Sequence, residues 1–322
     1  MTRAARRART FIIASALVAA CVSPTATNLE LVSYRNLRGE LRSVESADSG
    51  RRGRYGTQRL RLTSSTGLIA TGWLYHPVDA GGCHPAVLLQ DGREEDSNVI
   101  RRLPAEFGDV VVLSLDYPRE MPSVLRLGDA VAHHERIDRA ARQIPALFSL
   151  GAAYLRQRPD VDDGRVAIAA TSFAVPFAAI AAAFDSSFRN VALIYGAGDL
   201  PRVIAVNLST RPRALRRPLA WLATRPFAEL APERFVARIA PRPLVMVNGS
   251  DDPQMPVAAV RRLYDAAREP KSLVWLQTGH LMPTDSALIR SLVDSAFARM
   301  PVLHEPASSL CPAGARAVTL LR

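Results

Sequence analysis

Two hydrophobic rhythms alternate along the chain from residue 59 onward. Short apolar runs closed by turn residues predict strands at 59–63, 69–75, 86–90, 110–115, 166–170, 191–195, 244–247 and 273–277. The first two read as a hairpin around Ser65-Thr66-Gly67. Between later strands the apolar period lengthens to that of a helix. Residues 130–155 carry Ile137, Ala141, Ile144, Phe148 and Ala152 on one face, with a break expected at Pro145. Further helices are predicted at 174–184, 257–268 and 285–300. Strands that alternate with helices over this length imply an α/β fold with a mostly parallel sheet and helices on both faces. Residues 200–240 interrupt the rhythm with prolines and helical pieces, the pattern of a small cap over the strand ends. There is no internal repeat. Residues 21–56 are polar, with Ser, Asp, Gly and Arg gathered at 43–54, and read as a tether. The main domain is then expected over 57–303, and the Pro- and Ser-containing tail 304–322 should pack loosely.

Composition narrows the class. The 322 residues are 48% hydrophobic and 22% charged, a mix that excludes a disordered or collagen-like chain. The net charge of +11 invites a nucleic-acid reading, but Lys271 is the single lysine, and the arginines are scattered among acids. That is the signature of an arginine-rich solvated surface, so no nucleic-acid partner is expected. Arg211, Arg213, Arg216 and Arg217 are expected to face solvent on the cap. Glu94, Glu95 and Asp96 read as a solvated loop.

The first 20 residues read as an export signal. Arg3, Arg6, Arg7 and Arg9 precede an apolar stretch, and Phe11 to Val22 is too short to span a bilayer. The run Leu17-Val18-Ala19-Ala20-Cys21 resembles the lipobox of bacterial lipoproteins, which implies a chain lipidated at Cys21 and attached to a membrane. Val22 follows where an aspartate would disfavour outer-membrane sorting, so the expected place is the outer membrane, facing the periplasm. The alternative is an ordinary signal cut near Ala20 or Ala26. An oxidising compartment would allow Cys83 and Cys311 to pair; two unrelated thiols are the equal alternative. No Cys/His spacing suits zinc, so no metal is expected. His133-His134 reads as surface.

Candidate chemistry begins at Ala170-Thr171-Ser172-Phe173-Ala174. A serine between a hydrophobic strand and a small-residue helix is lifted above the sheet edge. The helix start there favours developing negative charge. After the strand at 244–247 comes Asn248-Gly249-Ser250-Asp251-Asp252-Pro253, and after the strand at 273–277 comes Thr278-Gly279-His280. The order Ser172, Asp252, His280 places all three at the carboxyl ends of parallel strands, where open α/β sheets hold their sites.

With these residues the chain resembles the α/β-hydrolases, and within them it is similar to the dienelactone hydrolase and acetyl-xylan-esterase-like group. The resemblance runs from about Arg59 to Met300. It rests also on Val161-Asp162-Asp163-Gly164-Arg165-Val166, on Ile239-Ala240-Pro241-Arg242-Pro243-Leu244 and on Gly249 to Pro256. It implies Ser172 as nucleophile, His280 as general base and Asp252 as the orienting acid, with Asp251 and Asp199 as alternative acids. It implies oxyanion donors from the backbone N–H groups of Phe173 and Arg93. The elbow differs from the family's G-x-S-x-G by carrying Ala170 and Ala174, and Asp91-Gly92-Arg93 stands where His-Gly is usual. The activity implied is hydrolysis of a small-molecule ester or thioester through an acyl-enzyme, with no cofactor. A superfamily peptidase is the close neighbour of that reading. A degenerate hydrolase fold acting as a binding lipoprotein is the reading from another class, prompted by the two alanines. The oligomeric state is not legible.

Overall fold

The computed structural model describes residues 34–78, 82–92, 107–121, 132–208, 212–280, 286–306 and 320–321. Nine strands and a two-residue tenth form one sheet in the order β10-β1-β2-β3-β5-β4-β6-β7-β8-β9. Antiparallel pairing joins β1 (Leu41–Arg52), β2 (Tyr55–Ser64) and β3 (Ile69–Pro77), and β3 pairs antiparallel with β5 (Val111–Leu115). From β5 across β4 (His84–Gln90), β6 (Val161–Thr171), β7 (Asn190–Ile194), β8 (Leu244–Gly249) and β9 (Lys271–Leu276) every pairing is parallel. β4, β5, β7 and β8 are buried along their whole lengths, which is why they read as unbroken apolar runs.

Strand alternation divides the core into two layers. Ala86, Leu88, Val111, Leu113, Ile168, Leu193 and Met246 face α1 (His134–Gln157), α2 (Val175–Phe184) and α5 (Val257–Ala266). Val87, Leu89, Val112, Ala169, Ile194 and Val247 pack with Ile289, Leu292, Val293 and Ala296 of α6 (Ser286–Phe297) on the other side. Between β7 and β8 the expected cap is present as α3 (Leu200–Asn207), α4 (Arg216–Thr224) and four short 3-10 turns ending at Arg238. Among the described residues no helix is long and apolar enough to cross a membrane.

Three expectations are corrected. One compact unit starts at Tyr34, and residues within it that were read as tether form the 12-residue β1. That strand is exposed at nearly every position and buries only Val44, so no apolar pattern announced it. The tail is not uniformly loose, because Leu320 and Leu321 pair with Val44 and Glu45 as β10. Finally, Pro145 does not break its helix. α1 runs for 24 residues through it, since the apolar stripe continues on both sides and keeps the helix packed on the sheet. Cys83 is disulfide-bonded, while Cys21 and Cys311 lie outside the described residues.

Candidate active site

Parallel register assembles the site. Thr171, Ile194, Val247 and Val274 stand in one row across β6 to β9, so the loops that follow these strands emerge side by side. Three non-glycine residues take a positive φ among the described residues, and all belong to this edge: Ser172 at 49°, Tyr195 at 52° and Asp199 at 50°. Each such conformation costs about 1–3 kcal/mol and persists only where the surroundings enforce it.

Ser172 begins a 3-10 turn, Ser172–Ala174, that leads into α2, and its carbonyl accepts the N–H of Val175. Thr171 anchors the strand end by donating its hydroxyl to the Gln90 carbonyl at 3.1 Å. Ala170 and Ala174 are fully buried in the core. Ala174 has φ −73°, which any L-residue adopts, so a glycine is not needed there. The Phe173 ring meets Tyr117 and Phe177 edge-on at 5.5 and 5.3 Å. The Tyr117 hydroxyl donates to the carbonyl of Asp91, so this aromatic wall ties the end of β4 to the elbow. Gln90 braces the same end, donating to and accepting from the backbone of Leu115 at 2.9 and 3.2 Å. Arg93, expected as the second oxyanion donor, lies outside the described residues, as do Glu94, Glu95 and Asp96.

Asp252 and His280 meet. Nδ1 of His280 lies 2.7 Å from Oδ2 of Asp252, with the carboxylate fully buried and the imidazole 12% exposed. Oδ1 of Asp252 accepts the backbone N–H groups of Gln254 and Met255 at 2.7 and 3.1 Å. A carboxylate oxygen only accepts, so this bond puts the ring proton on Nδ1 and leaves the lone pair on Nε2. Neither of the two other aspartates considered bonds to the imidazole. Asp251 is exposed in a turn, and Asp199 pairs with Arg202 at 2.9 Å before α3.

Tyr195 was not foreseen. Its buried hydroxyl donates to the Gly279 carbonyl at 2.8 Å and lies 2.9 Å from Oγ1 of Thr278, and its ring meets the His280 imidazole edge-on at 5.2 Å. The signal available was an aromatic residue closing an apolar strand at the edge where Ser172, Asp252 and His280 were expected. Gly249 also supports the histidine loop: a Cβ there would sit 2.4 Å from the Thr278 carbonyl oxygen. Among the described residues no group of three His, Cys, Asp or Glu side chains is placed to hold a metal.

No family model matches the sequence, and neither does any curated protein sequence. Solved structures do match. Acetyl xylan esterase 1 from Thermoanaerobacterium sp. superposes with a TM-score of 0.58 at 17% identity, over 83% of this chain and 93% of that one. The fold is that of the α/β-hydrolases. An acetyl xylan esterase from Paenibacillus sp. R4 gives a TM-score of 0.61 at 15% identity, over 85% and 96% of the two chains. A puromycin-hydrolyzing peptidase from Mycobacterium tuberculosis gives 0.56 at 16% identity, over 80% of this α/β-hydrolase-fold chain but 40% of the other.

Proposed function

We propose that this chain is a serine hydrolase of carboxylic esters, extending to thioesters, that works through an acyl-enzyme. The observation that carries the reading is the buried Asp252–His280 pair on the strand edge where Ser172 holds a left-handed backbone. Nε2 of His280 takes the Ser172 proton as Oγ attacks the acyl carbon. The N–H of Phe173, with that of Arg93, receives the oxyanion. Collapse breaks the bond to the leaving alcohol or thiol, which takes the proton from His280. A water activated by the same Nε2 then releases the acid. Asp252 orients the ring and balances its positive charge. The acetyl xylan esterases among the structural neighbours put short acyl groups first in any substrate panel. The ordinary φ of Ala174 weakens the binding-lipoprotein reading, which rested on the missing elbow glycines. The decisive test is a fluorophosphonate probe with a graded series of acyl esters: labelling at Ser172 and turnover that both vanish in Ser172→Ala support the reading. A parent chain that resists the probe and cleaves no ester sinks it.

The same proposal places the mature chain at the cell envelope, lipidated at Cys21 and facing the periplasm. It is supported by the basic leader and the lipobox-like run at residues 17–21. Mass spectrometry of the mature N-terminus tests it, and an unmodified start at any other residue would refute it.

A further inference from the structure

The cap carries an apolar and cationic surface that the hydrolytic reading does not use. Of the large hydrophobic residues exposed among those described, four belong to it: Val206, Leu215, Trp221 and Leu222, with Leu222 at 62% exposure and Trp221 at 48%. Ala220 and Thr224 turn the inner face of α4 into the protein. Leu215, Pro218 and Leu222 then stack outward at helical spacing. Arg213 and Arg217 are exposed beside them, Arg216 is half-buried, and the Arg225 guanidinium lies 4.7 Å from the Trp221 ring centre. From Leu200 to Ala228 the sequence contains six arginines and no acidic residue.

We infer that this face of the cap docks on a bilayer surface rich in anionic phospholipid. Tryptophan and leucine beside a row of arginines is the composition of a segment that lies in the headgroup boundary, where apolar side chains enter the acyl region and guanidinium groups meet phosphate. Pairing with a second copy is disfavoured by charge. A two-fold contact through α4 would set like arginines against each other, and no acid in residues 200–228 could neutralise them. The inference is independent of the hydrolytic reading. It does bear on the site, because Asn207 at the end of α3 donates to the Gln254 carbonyl at 3.0 Å, in the turn whose N–H groups hold Asp252.

The test uses the mature chain from residue 21 carrying Cys21→Ser, so that neither the basic leader nor an attached lipid contributes, and vesicles of equal phosphatidylglycerol and phosphatidylcholine against phosphatidylcholine alone. The chain is expected to co-sediment with the anionic vesicles at 0.1 M salt and to release at 0.5 M. Replacing Leu215, Trp221 and Leu222 by serine, or Arg213, Arg216 and Arg217 by glutamine, should lower the partition coefficient roughly 10- to 100-fold. Trp221→Phe should keep the binding but lose quenching of fluorescence by brominated lipid. All these side chains but the half-buried Arg216 are exposed, and unchanged circular dichroism confirms that the variants fold. Unchanged partitioning of both triple variants would overturn the inference. So would a dimer in vesicle-free solution that the serine variant abolishes, since the face would then join two copies.

Discussion

In the proposed mechanism Ser172, His280 and Asp252 do different chemical jobs, and their replacements should separate accordingly. Without Oγ no acyl-enzyme forms, and without Nε2 the hydroxyl is a poor nucleophile. Ser172→Ala and His280→Ala should each lower kcat on the order of 10⁴–10⁶, without multiplying when combined. Asp252→Asn keeps the imidazole but loses charge support, for a loss of roughly 10³–10⁴. Asp251→Asn and Asp199→Asn should leave kcat near the parental value, because neither carboxylate reaches the imidazole; a larger loss in either would move the acid. Tyr195 acts through the histidine loop. Tyr195→Phe removes the donor to Gly279 and leaves that carbonyl short of a partner. We expect kcat to fall about tenfold with KM held. An unchanged kcat with a lowered Tm would make Tyr195 merely structural. The places of Ser172, Asp252 and His280 were legible because each follows a strand that its own apolar run announced. The place of Tyr195 was not, because its contact depends on where a loop 84 residues later returns.

The loops that carry these residues are set by the elements beneath them, and close packing at the ends of β8 and β9 makes one glycine decisive. An alanine at Gly249 would press its Cβ on the Thr278 carbonyl oxygen, a backbone atom that cannot rotate away. Gly249→Ala should shift the histidine loop and lower kcat/KM by roughly 10²-fold, as expected for a misplacement near 1 Å. The fold should survive, so Tm measured beside activity distinguishes the two effects. His76 on β3 offers a pH test. Burial first, and then the Arg158 charge, lower its pKa, outweighing the pull of Asp160 and Asp48. The unfolded chain therefore binds the proton more readily, and this stability is full above the ordinary histidine pKa of about 6.5 and lost as pH falls from there through the lower folded value. His76→Gln should flatten the decline in urea midpoint between pH 7 and 5; an equally steep decline would assign it to other groups. The parallel strands were legible because burial on both faces leaves apolar runs. β1 was not, because a strand that is wet on most of its surface has no such pattern.

At the scale of the molecule, the segment before β1 decides how the sheet's far edge is closed. Tyr34 is buried in the helical layer, where its hydroxyl donates to the Pro145 carbonyl at 2.9 Å and bonds with Ser149. Its ring leans on Phe184 at 5.1 Å, and desolvation drives its pKa far above the ordinary tyrosine value, so the phenol stays neutral. From there the chain crosses to the sheet: the Thr66 hydroxyl accepts it by donating to the Leu37 carbonyl, and β1 pairs along the length of β2. Leu320 and Leu321 then cover part of the outer side of β1. Removing Tyr34 should cost about 3–5 kcal/mol as Tyr34→Ala, the usual result of emptying a buried aromatic site, and about 1–2 kcal/mol as Tyr34→Phe. Urea midpoints measure both. A chain that starts at Tyr34 keeps every contact described above and serves as the reference. Deletion of residues 1–54 removes Tyr34 and β1 together and bares the hydrogen-bonding edge of β2, an invitation to strand pairing between molecules. That shorter chain should scatter light at concentrations where the longer one stays clear. If it remains clear with the same midpoint, residues 34–54 are a tether after all, and the fold starts where the apolar pattern of the sequence does.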